Sequence, residues 1–216
     1  MVYLLADSCR LKFKLRKVYI MATTLNFTGD DVNVTDSGGG ILTVDVQNKR
    51  KLIQIQTVSA VSSVDFVFDP TLYYILYLTG INVLHDTTNS FFGLRVSTDA
   101  GSTFKAGASD YKFTRSGTEN TGTSHDSGST GFTSIPIVND VLDTARYSCE
   151  VLLYNQEAGH LFNAVSTSGY INDAGNGRNQ LAQGAYVTDT NANDAIRLFP
   201  SSGTFSGTFM LEGLLK

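Results

Sequence analysis

A chain of 216 residues, 42% of them hydrophobic and including 13 Phe and 10 Tyr, carries enough apolar material for one packed core and is not a disordered polymer. Charge is sparse at 17% and uneven: Arg10, Lys12, Lys14, Arg16 and Lys17 stand against Asp7 in the first twenty residues, leaving a body of net −8 that lacks the basic face nucleic-acid binding needs. The two cysteines, Cys9 and Cys149, lie too far apart in sequence to suggest a disulfide framework, and no apolar run approaches the roughly 18–20 residues that span a bilayer.

Residues 1–20 mix apolar and basic side chains as no later segment does, and Met21-Ala-Thr-Thr reads as a natural start. Three readings stay open for this stretch. It is an upstream extension without a structural role, an arm docking on a partner as a strand or amphipathic segment, or a signal peptide. Against the last stand the charges that interrupt any apolar run and the lack of a small-residue cleavage pattern.

From Thr23 onward short strand-like runs alternate with turn clusters. Ile41–Val46 follows the triple glycine 38–40, and Lys51–Thr57 alternates around Leu52, Ile53 and Ile55. Val61–Phe68 puts Val64, Phe66 and Phe68 on one face. Leu72–Leu84 is the most apolar segment, suited to a strand buried on both sides or to an aromatic interface. Tyr73, Tyr74 and Tyr77 cannot share one face of it, so they divide between second-face packing and candidate inter-subunit contacts.

Further strands are expected at Phe91–Ser97, Tyr111–Arg115, Cys149–Tyr154, Leu161–Ile171 and Leu181–Thr188. The stretch from Ala195 to Leu214 then reads as two strands joined by the turn Pro200–Gly203. Ser116–Ser134 has no aliphatic side chain and one aromatic, Phe132, and is expected as an irregular segment, either a surface loop or a recognition loop. No segment holds a 3.6-residue period. The pattern predicts an all-β, jelly-roll-like antiparallel β-sandwich with little helix. Its expected divisions are 1–20 as extension or arm, 21–69 as N-terminal strands with an anchoring role, and 70–216 as the sandwich.

Few motifs carry chemistry. Ser97-Thr-Asp-Ala-Gly-Ser-Thr-Phe104 resembles the Asp box of sialidases, which is a structural turn there, and it occurs once. Asp99 is expected to cap backbone N–H groups, Gly101 to take φ > 0, and Phe104 to fold back on the hairpin. Asp189-Thr-Asn-Ala-Asn-Asp194 opens like a calcium loop, but Asp194 stands where Gly is needed and Pro200 where the bidentate Glu is needed, so an Asx turn is expected. Asp173–Gly177 is likewise read as a turn. His85, His125 and His160 share no ligand spacing, and Cys149 is read as a core residue. Asp30 and Asp31 point to opposite faces of a strand. No nucleophile, base and oxyanion donors assemble, so no enzyme is expected, with no catalytic, cofactor or metal residues and no ligand-binding residue assigned.

Several blocks carry a family resemblance: Tyr73-Tyr-Ile-Leu-Tyr-Leu-Thr-Gly-Ile-Asn-Val, Leu94-Arg-Val-Ser-Thr-Asp-Ala-Gly-Ser-Thr-Phe, Tyr111, Glu150-Val-Leu-Leu-Tyr-Asn, Gly184-Ala-Tyr and the closing run from Ala195 to Leu214. In these the chain resembles bacteriophage virion structural proteins of the tail-fibre or capsid-decoration type frequent in marine phages. The blocks span residues 70–214. The family's end usually reads Leu-Tyr-Gly, and Glu212 stands in place of that Tyr. The resemblance implies a jelly-roll-like sandwich that assembles as a homotrimer on a phage particle, with capsid or tail proteins as partners. It implies a virion location after synthesis in the host bacterial cytoplasm, without nucleic-acid binding or membrane insertion. The expected function is a non-enzymatic structural component: capsid decoration, head fibre or tail fibre. The alternative is a carbohydrate-binding jelly-roll module for host-surface attachment, using loop aromatics such as Tyr170 or Tyr186.

Overall fold

The structure, a computed structural model, describes residues 50–216 throughout and the backbone segments 4–7, 10–14, 32–36 and 41–46. The chain divides into two compact units, residues 1–50 and 51–216. In the first, β1 (Leu4–Asp7), β2 (Arg10–Lys14), β3 (Val32–Asp36) and β4 (Ile41–Val46) form an antiparallel sheet of order β1-β2-β4-β3. The first twenty residues thus supply two strands to this sheet. Cys9, Asp30 and Asp31 lie outside the described residues.

The second unit holds β5 (Arg50–Val61), β6 (Val64–Val67), β7 (Tyr73–His85), β8 (Ser90–Ser97), β9 (Tyr111–Glu119) and β10 (Ser124–Phe132). It continues with β11 (Ile135–Val141), β12 (Tyr147–Tyr154), β13 (Asn163–Ile171), β14 (Gly177–Tyr186), β15 (Ala195–Pro200) and β16 (Phe205–Leu215). These twelve strands form two antiparallel sheets and no helix, as the alternating pattern predicts. The large sheet runs β10-β9-β14-β13-β12-β7-β16-β5 and the small one β11-β8-β15-β6. Strands β5 and β6 belong to this unit, so the sandwich begins at Lys51 and not at residue 70.

Eight of the strands trace a jelly roll. The order β5-β16-β7-β12 in one sheet faces β6-β15-β8-β11 in the other, and the chain crosses between sheets in nested Greek keys. Two hairpins, β9–β10 and β13–β14, are inserted between jelly-roll strands, and both add to the free side of β12. The large sheet therefore extends well beyond the small one.

The core lies between the sheets. Alternation on β7, β12 and β16 points Leu76, Leu78, Val151, Leu153, Phe209 and Leu211 inward, where they meet Phe66, Phe92, Leu94 and Leu198 from the small sheet. Phe92, Phe205 and Phe209 pack ring against ring at 5.0–5.8 Å between centroids. Gly213 is required by a close approach, because a Cβ there would sit 2.2 Å from the Tyr73 ring. Tyr73 itself is a core residue, whereas Tyr74 is 60% exposed and Tyr77 is half-buried on the opposite face.

One expected loop is absent. Ser116–Ser134 is not irregular: β9 runs on to Glu119, turns at 120–123 with Gly122 N donating to Glu119 O, and returns as β10. Its polar composition reflects what its faces meet. One face is open to solvent, and the other lies over charged groups and not over an apolar core.

Candidate functional site

The motifs singled out in the sequence are structural. In the Asp-box turn the Asp99 carboxylate accepts hydrogen bonds from Thr103 N at 2.8 Å, Thr103 Oγ1 at 2.5 Å and Ser97 Oγ at 2.7 Å. Those bonds, Thr103's first, hold its pKa down at about 2. Gly101 has φ +81°, and the Phe104 ring lies 4.1 Å beneath the Arg197 guanidinium, itself paired to Asp65 at 2.7 Å. The 189–194 segment is an Asx turn. Asp189 accepts from Asn191 N and from the Tyr186 hydroxyl, and Asp194 accepts from Ala100 N. Residues 172–176 close the β13–β14 hairpin, with Asn176 N donating to Asn172 Oδ1.

His85, His125 and His160 sit on β7, on β10 and in an exposed loop. Among the described residues no three His, Cys, Asp or Glu side chains gather in a way that could hold a metal ion. Cys149 is buried against Gly80, and burial pushes its thiol up to about 12, so it is no nucleophile at neutral pH. Tyr170 and Tyr186, expected as loop aromatics for sugar binding, are 5% and 1% exposed and face the core. That assignment is overturned: both lie on strands whose alternation turns them inward.

What the fold does bring together went unseen in the sequence. Strand pairing sets Glu119 of β9 directly opposite Arg178 of β14. The Glu119 carboxylate accepts from Arg178 Nη2 at 2.6 Å, from Asn172 Nδ2 at 2.5 Å and from Asn176 Nδ2 at 3.2 Å, and His125 Nε2 of β10 lies 2.8 Å away. Arg178 Nη1 reaches Asp140 of β11 at 3.2 Å. The Glu119 and Arg178 side chains are 7% and 8% exposed. Hydrogen bonding from Arg178 depresses the Glu119 pKa. Burial alone would lower that of Arg178, but its bonds to Glu119, Tyr170 and Asp140 outweigh burial and raise it, so both stay charged. Glu119 is an isolated charge in a Ser/Thr/Gly-rich run and Arg178 follows an Asn/Gly-rich turn, and only the strand register makes them partners. This cluster ties the inserted hairpins to β11, and every strong group in it is occupied by another.

The second feature is the outer face of the large sheet. One cross-strand row reads Gly128, Thr114, Gln183, Val165, Leu152, Tyr77 and Glu212 from β10 to β16. The row beside it reads Asp126, Ser116, Leu181, Thr167, Glu150, Thr79 and Met210. Toward β16 the rows are bulkier, with Leu152, Tyr77 and Met210 beside Glu150 and Glu212, while toward β10 they carry more short side chains, Gly128, Thr114, Ser116 and Thr167. The short half is hollowed into an open trough of about 720 Å³ floored by Thr118, Ser148, Thr167, Asn179 and Leu181. A second hollow of about 770 Å³, reaching Lys112 and Asn163, lies on the same face.

Fold and site together define an all-β jelly-roll sandwich whose charged cluster is internal and whose broad sheet face is open. No family model, curated protein or solved structure matches the chain.

Proposed function

We propose that this protein is a non-enzymatic structural component of a phage particle, a decoration or fibre subunit that works by assembling with copies of itself, as a homotrimer, and with capsid or tail proteins. The observation that carries this reading is where the family-like blocks fall. Dispersed in sequence, they occupy β7, β8, β12, β15 and β16, with Tyr111 at the start of β9 and Gly184–Tyr186 at the end of β14, and most of them pair directly: β7 with β12 and β16, and β8 with β15. Five of these strands belong to the frame of the jelly roll, and the two short blocks, on β9 and β14, lie in the inserted hairpins. The state of the ionisable groups agrees with this reading. Asp65, Asp86, Asp99, Asp110, Glu119, Asp189 and Asp194 all accept hydrogen bonds within the protein, as parts of a scaffold do.

Assembly needs an apolar surface, and the start of β7 supplies one. Leu72 and Tyr74 are 46% and 60% exposed there, and Leu52 and Ile55 of β5 are 49% and 53% exposed. Light scattering on the purified full chain is expected to give three chain masses, and Tyr74→Arg to give one. A wild-type monomer that also fails to sediment with phage particles would overturn the proposal. A second reading, attachment to host-surface glycans, is favoured by the hydroxyl-lined trough on the large sheet.

A further inference from the structure

We infer that the trough on the outer face of the large sheet is the binding site for an extended, uncharged glycan; the inference rests on the attachment reading just given and assigns it a place. Elsewhere in the sandwich most carboxylates are engaged by protein donors, but Asp126 and Glu150, at the two sides of the trough, accept no hydrogen bond from the described residues. The side chains of Ser116, Thr118, Thr167 and Asn179 between them also make none. Carboxylate and amide groups present paired acceptors and donors that suit neighbouring hydroxyls on a sugar ring, and hydroxyls serve in either sense.

Shape and charge then narrow the ligand. Asp126 on β10 and Glu150 on β12 share one cross-strand row four strand spacings wide, which separates them by roughly 19 Å. Only an elongated molecule touches both. Leu181, 40% exposed at the middle of that row, is the apolar patch on which the C–H face of a sugar would rest. The two carboxylates make the trough acidic, which disfavours uronic-acid and sulfated polymers. The short residues are what open the space: Gly169 and Ser148 stand where a larger side chain would close it.

The test is calorimetric titration of the purified full chain with maltohexaose, cellohexaose and mannohexaose, with hexagalacturonate as the anionic comparator. At least one neutral oligomer is expected to bind, and hexagalacturonate at least roughly tenfold more weakly. Thr167→Arg, which lays a long side chain across the exposed floor, is expected to abolish binding. The Asp126→Asn, Glu150→Gln pair is expected to weaken it roughly tenfold or more. Ser59→Arg, on exposed β5 at the far edge of the same sheet, leaves binding unchanged. Circular dichroism and light scattering confirm that each variant is folded and assembled as wild type. If a neutral oligomer binds but Thr167→Arg does not matter, the trough is the wrong place and the attachment reading survives. If no neutral oligomer binds, both fall and the assembly reading stands alone. If hexagalacturonate binds as well as any neutral chain, the charge argument is overturned.

Discussion

The two halves of the large sheet are held by different forces. Strands β5, β16, β7 and β12 are the jelly-roll half, and their inner face is closed by the aromatic and aliphatic core beneath the small sheet. Strands β13, β14, β9 and β10 are the inserted half. Toward the β10 edge their inner face is closed by Glu119, Arg178, Asp140, His125 and the amides around them. Burial of apolar area is non-directional and tolerant, whereas a buried ion pair holds only while every partner stays in place. The first half should therefore set global stability, and the second should open locally when one partner is lost.

The largest effect tests the first half. Phe209 is fully buried between Phe92 and Phe205, so Phe209→Ala is expected to cost about 3–5 kcal/mol in chemical denaturation. A loss below about 1 kcal/mol would mean that the two sheets do not share the core described.

His85 gives the next largest effect, and it depends on pH. The imidazole is buried beside Phe92 and Phe205, with Nε2 at 2.8 Å from the Tyr147 hydroxyl and no partner for Nδ1 among the described residues. Burial lowers its pKa to about 4. Above pH 6.5 both folded and unfolded chains hold it neutral, and stability is full. As pH falls from 6.5 toward 4, the unfolded chain takes up a proton that the folded one refuses. Stability drops through that window by up to about 3 kcal/mol and levels off below it. His85→Gln should flatten this slope, measured by urea midpoints at pH 7 and pH 4.5. An unchanged slope would assign the acid sensitivity to other groups.

Arg178 tests the second half. Arg178→Met leaves the Glu119 carboxylate without its strongest donor. Amide hydrogen exchange in β9, β10 and β14 should accelerate while β7 and β16 stay protected. Glu119→Gln with Arg178→Met should restore part of the protection, because the remaining amide needs less compensation. Exchange rising in step across both halves would break the comparison and make the sandwich one cooperative unit.

The same division decides what could be read from the sequence. Strand β16 announces itself by alternation, with Phe205, Phe209 and Leu211 on one face and Ser206, Thr208 and Glu212 on the other, while β7 and β12 do so by apolar runs that include Leu76, Leu78, Val151 and Leu153. The Asp-box and closing turns were legible because their geometry is local. Strand β10 was not, since both of its faces meet polar surroundings and Ser, Thr and Gly then look like loop residues. Strand β11 escaped for another reason: Ile-Pro-Ile-Val-Asn-Asp-Val is buried on nearly every residue and carries Pro136, tolerated because β11 is an edge strand of the small sheet. The charged cluster was invisible because Glu119 and Arg178 meet through a register that no local pattern encodes.

The smallest effect asks whether the trough has any part in folding. Leu181 is a large apolar side chain on an otherwise hydroxylated floor, with 40% of its surface exposed and its neighbours in the row Ser116 and Thr167. A side chain kept for the fold would lose packing on truncation, but Leu181 stands on the open outer face, outside the core between the sheets, with short neighbours beside it. Leu181→Ser is therefore expected to shift stability by no more than about 0.5 kcal/mol in either direction. A loss of 2 kcal/mol or more, in the range of a buried leucine, would instead make Leu181 part of the packing that fixes β14 against its neighbours. The open face would then be a folding surface, and the contrast between a sheet half closed on its core and one left open to a ligand would fail at that residue.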